Sequence, residues 1–198
     1  MTLEQSLAFV GFSIVVAGTP GPSNALLTAT GANVGLVRGL PALIGVAAGM
    51  GLLMFVVVFG LGAVILDNPV LLTVVKWTGA VVLLWLAWKI ATSRSAGGVG
   101  DARPVGFFGA AAFQWINPKS WLACTSAAAA FLDQSRGGAG VQALTLALIF
   151  VAVAVPCCLV WLAFGAAVQR VLRSERALRT FNLVMAALLA ASVVLFLV

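Results

Sequence analysis

No histidine and no tyrosine occur in this 198-residue chain, and only five residues are acidic. These absences narrow the chemistry. A metal centre built on imidazoles, or a hard-cation site built on several carboxylates, lacks its ligands. Charge as a whole is scarce, at 8% of residues where a soluble domain carries roughly a quarter. Cysteine appears only as Cys124, Cys157 and Cys158. Three cannot all pair, and neighbours in sequence seldom bridge each other, so they read as apolar packing residues.

What fills the chain instead is apolar: 63% of residues, in runs of about 20 that are long enough to cross a bilayer. Runs this long and uniform predict helices rather than barrel strands, because a helix meets its own backbone hydrogen bonds in lipid. The expected fold class is all-α, a polytopic membrane protein, with little of the chain left for a soluble domain. A net charge of +6 would suggest nucleic acid in a soluble protein. Here the basic residues flank the spans, so no nucleic-acid partner is expected. The start, Met1-Thr2-Leu3-Glu4, has no basic leader and runs into Pro-Gly-Pro, which predicts a first span rather than a cleaved signal peptide.

Six spans are predicted. The first covers about Gln5 to Val34, broken at Gly18-Thr19-Pro20-Gly21-Pro22; the second, about Gly39 to Leu66, carries no charge. Asp67-Asn68-Pro69 makes a turn into the third, which reaches about Ala91. Small polar residues from Ser93 to Arg103 form a linker. The fourth span, from Gly106 to near Asp133, is broken at Asn117-Pro118, the fifth covers about Val141 to Val168, and the sixth starts near Ala177. The expected organisation is a single membrane domain: one repeat at about 1–92, a linker at 93–105 and a second repeat at about 106–198.

Basic residues concentrate in the loops after spans one, three and five (Arg38; Lys89, Arg94, Arg103; Arg170, Arg173, Arg176, Arg179), with only Arg136 opposite. The positive-inside rule then puts those loops in the cytoplasm and both termini outside. Three spans per half makes the second half enter from the opposite side. Aligning the halves sets Pro22 on Pro118, Gly21 on Asn117 and Ser23 on Lys119. Corresponding interruptions of this kind are the pattern of inverted-repeat transporters.

The second interruption lies in Gln114-Trp115-Ile116-Asn117-Pro118-Lys119-Ser120-Trp121. Proline breaks the entering helix, and the next restarts with Asn117 as N-cap and Pro118 in the first turn. Lys119 then sits at the positive end of its own helix, in lipid, against two local rules. Such violations point to a functional site. Two helix starts at Pro20, Pro22 and Pro118, each with unpaired N–H groups, plus the Lys119 ammonium, would suit a carboxylate. Asn24 and Gln114 are placed to hydrogen-bond a substrate's amino group or a polar side chain, with Gly21, Ser23, Asn117 and Ser120 beside them. Gly31, Gly35 and Gly39, and Gly45 and Gly49, recur at a spacing that lets helices approach, and the glycine face of span two would suit a homodimer. Lys76 reads as a snorkelling residue or a gate, and Trp85, Trp88 and Lys89 as an interfacial belt. No acid sits plainly within a span, so Asp67, Asp133, Lys119 or the substrate would have to carry a coupling proton.

Thr19-Pro20-Gly21-Pro22-Ser23-Asn24, Gly45-Val46-Ala47-Ala48-Gly49, Lys76-Trp77-Thr78-Gly79 and Gln114-Trp115-Ile116-Asn117-Pro118-Lys119 together resemble the lysine exporter (LysE-type) family. The resemblance covers nearly the whole chain. It implies six helices, a bacterial inner-membrane location and efflux of amino acids or close derivatives, with protons as coupling ion. Many members carry an acid where this chain has Met50 and a tyrosine near Val81-Val82. Those departures, with Trp85 to Ser93, Gln114, Trp161-Leu162-Ala163 and Gln169-Arg170, resemble the branch that exports cysteine and O-acetylserine. The expected function is secondary export of a small amino acid by alternating access, with threonine- or homoserine-like substrates as the other option; no enzyme activity, cofactor or metal is expected. Two further classes are a metal or ion exporter and a membrane thiol redox protein using Cys157 and Cys158.

Overall fold

A computed structural model describes residues 1–61, 68–92, 105–133, 138–171 and 175–197. Asp67, Arg94, Arg103, Arg136 and Arg173, the linker from Ser93, and the side chains of Lys76, Gln169 and Arg170 lie outside the described residues. Every regular element among the described residues is helical: seven α-helices and one π-helical turn. In order they are α1 (Leu3–Gly18), α2 (Pro22–Val56) continuing into a π turn (Val57–Leu61), α3 (Pro69–Thr92), α4 (Phe107–Ile116), α5 (Pro118–Phe131), α6 (Ala139–Val171) and α7 (Glu175–Leu197). Pro22–Gly60 and Ala139–Val168 are each long and apolar enough to cross a membrane; Leu3–Gly18, Trp77–Thr92, Phe107–Ile116 and Arg179–Ala191 are shorter apolar helices.

Local chemistry explains the helix limits. Thr2 caps α1: its hydroxyl accepts from Gln5 N–H (3.2 Å) while the Gln5 side chain accepts from Thr2 N–H (3.0 Å). At the start of α2, Gly21 is N-cap and Pro22 the first helical residue, and Asn117 and Pro118 play the same parts for α5.

One expected boundary differs. The turn placed between Val34 and Gly39 is a single residue, Gly35, at φ 80° and ψ 177°. That conformation favours glycine, and it bends the chain with almost no loop. Packing shows the bend. Gly31 and Gly39 would lie about 12 Å apart on a straight helix, yet a Cβ on either would meet Leu162 of α6.

The glycines are intramolecular packing sites, which corrects the expectation that span two offers its glycine face to a second copy. A Cβ on Gly45 would strike the Phe107 carbonyl, and one on Gly49 would sit 2.5 Å from the Ala111 oxygen. Gly165 returns the approach from α6, against the Thr28 carbonyl. Backbone contact this close explains why α2 packs chiefly on α6 and next on α4, while α3 packs on α7. At the other end, Phe9 and Phe12 of α1 lie 5.0 and 5.8 Å from the Phe131 ring of α5.

Candidate functional site

The α1–α2 and α4–α5 interruptions touch each other. Asn117 Nδ2 donates to Ser23 Oγ (2.8 Å), and Ser23 Oγ donates to Gln114 Oε1 (3.0 Å). Ser120 Oγ donates to the same Gln114 oxygen (2.9 Å), whose amide nitrogen donates to Ala110 O (3.2 Å). Buried polar groups require partners, and here residues from the two interruptions supply them to each other. Trp121 closes the end of α4 by donating its indole N–H to Trp115 O (2.7 Å), satisfying a carbonyl the helix leaves open.

Three sequence expectations change. Gln114 is 1% exposed and its amide is committed to Ser23, Ser120 and Ala110, so it braces the site. For Asn24 the role narrows: its Nδ2 donates to Ala17 O (3.0 Å) and Thr19 O (2.8 Å), tying the end of α1 to the start of α2, which leaves its Oδ1 as the atom to accept from an amino group. The start of α5 does not offer free amides either. Asn117 Oδ1 accepts from Lys119 N–H (3.1 Å), and the Asn117 carbonyl accepts from the Ser120 and Trp121 N–H groups. The asparagine that starts the helix also consumes its donors. At α2 the cap is Gly21, which has no side chain to do so. The Ser23 and Asn24 amides therefore keep no acceptor among the described residues.

Lys119 reaches across to the other interruption. Its Nζ donates to Thr19 O at 2.5 Å and lies 3.5 Å from Pro20 O. These carbonyls follow the last turn of α1, the end of a helix where a cation is favoured. The lysine stem passes over Gly21, where a Cβ would lie 2.8 Å from Lys119 Cδ and 3.2 Å from Nζ. An ammonium has three donors, so at least one remains for another acceptor.

A cavity of about 40 Å³ lies at this junction. Gly21, Ser23, Asn24, Gln114, Asn117, Lys119 and Ser120 form its polar side; Val16, Ala17, Val46, Met50, Phe150, Ala154 and Cys158 form its apolar side. No Asp or Glu is among these lining residues. Ligand pockets start at roughly 300 Å³, so the cavity as it stands is too small for a substrate. A second, wider cavity of about 840 Å³ lies between α2, α3 and α4, with Asn33, Trp85 and Lys89 on its wall. Leu26, Phe113 and Ile116 line this vestibule, beside Ser23, Gln114 and Asn117 of the inner cavity.

Sequence reading missed the Thr19 and Pro20 carbonyls, since a carbonyl has no residue-type signature; only the Pro-Gly-Pro interruption hinted at them. It also missed the apolar wall on α6. Cys158, assigned to packing, is buried in a core cluster and also lines that wall, and Cys124 is buried in another core cluster. Cys157 and Cys158 are both free. Among the described residues no three His, Cys, Asp or Glu side chains cluster as metal ligands would. Asp133 lies away from the cavity, where its backbone exchanges hydrogen bonds with Gln142 at 3.0 Å.

Apolar helices meeting at interrupted backbone, round a small cavity with one polar side, fit a membrane translocator. The chain belongs to the LysE type translocator family, whose description matches residues 14–198. It is similar to the cysteine/O-acetylserine efflux protein of Klebsiella pneumoniae subsp. pneumoniae, with 35% identity over 133 residues, 67% of each chain. It is also similar to the protein of that name from Escherichia coli (strain K12), with 30% identity over 193 residues, 96% of this chain and 95% of the relative. The Salmonella typhimurium protein of that name matches equally, at 30% over 193 residues. No solved structure matches the chain.

Proposed function

We propose that the chain is a secondary exporter of small amino acids or close derivatives, cysteine and O-acetylserine first among them, and not an enzyme. The observation that carries this is the contact between the two helix interruptions at one closed cavity, with a lysine and no acid on its wall. The carboxylate of the substrate takes the open Ser23 and Asn24 amides and a free Lys119 donor. Gln114, Asn117 and Ser120 hold these groups in place. The apolar wall formed by Met50, Phe150, Ala154 and Cys158 accepts a small, weakly polar side chain.

The reading includes six spans in two inverted repeats, about 1–92 and 106–198. Contacts support it: α3 packs on α7, Gly51 of the second span on Val151 of the fifth, and the first interruption on the fourth span's. Each pairing joins elements three spans apart, as two-fold related halves would. Alternating access rocks one half against the other and parts Leu26 from Phe113 and Ile116, joining the inner cavity to the vestibule. The vestibule end carrying Lys89 is cytoplasmic in this arrangement, both termini are outside, and the membrane is the bacterial inner membrane. Protons are the counter-ion, carried by Lys119, the substrate, Asp67 or Asp133. A homodimer would have to form through a face other than the occupied Gly45–Gly49 one.

Inside-out vesicles test the function. Radiolabelled cysteine (kept reduced) or O-acetylserine should accumulate when the lumen is acidic, and a protonophore should abolish the gain. Uptake no greater than in vesicles without the protein would end the exporter reading. Lys119→Met at equal expression should lower uptake at least tenfold.

A further inference from the structure

We propose that the Thr19 and Pro20 carbonyls are the subsite for the substrate's α-ammonium, and that in the closed state Lys119 occupies it with its own ammonium. This rests on the exporter reading and specifies how the same cavity recognises a zwitterion. A single interruption offers both poles: carbonyls at the end of α1, and open Ser23 and Asn24 amides at the start of α2. Unwound carbonyls and half-helix ends suit a cation, and half-helix starts suit a carboxylate.

Charge supports the assignment. An amino acid's ammonium needs acceptors, and the cavity wall supplies no carboxylate. The Gln114 oxygen already accepts two hydroxyls. Thr19 O already accepts from an ammonium, that of Lys119. Lys119 is thus a tethered competitor. Binding displaces its Nζ from the carbonyls to the carboxylate that arrives at the neighbouring amides, a short swing over Gly21. The lysine then contacts substrate in the loaded state and fills its place in the empty one.

Removing the competitor should help a ligand that has only the ammonium. The probes are cysteine, cysteamine (ammonium and thiol, no carboxylate) and 3-mercaptopropionate (carboxylate and thiol, no ammonium), measured by calorimetry on purified protein in nanodiscs. Lys119→Met should bind cysteamine at least tenfold more tightly than wild type while binding 3-mercaptopropionate more weakly. Gly21→Ala, which displaces the ammonium without removing it, should also gain cysteamine affinity and covers the case in which Lys119→Met does not fold. If wild type binds cysteine and neither variant gains affinity for cysteamine, the ammonium subsite is wrong and the exporter stands. If wild type neither binds nor transports cysteine or O-acetylserine, the substrate reading fails and takes this proposal with it.

Discussion

Ser23 and Gln114 lie on different halves of the chain, and the bond between them tests whether the two interruptions are joined. Gln114→Met keeps the side chain's length and removes the oxygen that accepts from Ser23 at 3.0 Å and from Ser120 at 2.9 Å. It also removes the donor to Ala110 O. Leaving such buried groups without partners costs about 1–3 kcal/mol. Ser23→Ala leaves Asn117 Nδ2 without its acceptor and should cost a similar amount. If the bond exists, the double variant loses less than the sum of the two. Interhelical hydrogen bonds in membrane proteins average about 0.6 kcal/mol and reach about 1.7 kcal/mol, so the coupling should fall in that range. Equilibrium unfolding in mixed micelles gives the four stabilities. Costs that add within about 0.3 kcal/mol would mean no contact, and the junction would have to be abandoned.

Two packing predictions follow from the glycines. Gly49→Val should destabilise by about 1–3 kcal/mol in the same assay, because its Cβ would overlap the Ala111 backbone. Gly11→Ala, in open space on α1, should be neutral or stabilising by up to about 1 kcal/mol, so equal effects at the two sites would refute the packing. Gly35→Ala should cost about 1–2 kcal/mol, since a side chain is strained at its positive φ. An unchanged midpoint would mean that the chain does not turn there.

The helix starts were legible because proline and asparagine act locally: Pro22 and Pro118 hold first helical positions, and Asn117 caps with its own side chain. The bend at Gly35 was legible in place, not in length. Charge and composition suggested a loop from Val34 to Gly39, whereas one glycine conformation makes the whole turn. That these polar residues would meet at one junction was legible; their hydrogen-bond partners were not. Asn24 and Gln114 looked like ligands because an amide in an apolar run needs hydrogen bonds. Sequence could not show that those bonds are made by backbone carbonyls and by serines of other segments. The glycine face of span two likewise showed that something approaches closely, but not that it is α4 of the same chain.

Lys119 resolves the conflict that first drew attention to it. In its own helix it is the wrong charge at the wrong end, at a cost of about 0.3–1 kcal/mol. A lysine in mid-span costs roughly 2.5–3.5 kcal/mol more. Across the junction the signs reverse. The end of α1 favours a cation by about 0.3–1 kcal/mol, offsetting the first cost. The charged hydrogen bond to Thr19 O contributes about 1.5–3 kcal/mol against the second. These terms nearly cancel, leaving the ammonium within about 1 kcal/mol of balance on the unfavourable side. On the exporter reading proposed above, such a near-balance suits exchange: the carbonyls satisfy the ammonium while the site is empty, and a zwitterion that supplies both an ammonium and a carboxylate takes its place without a large barrier.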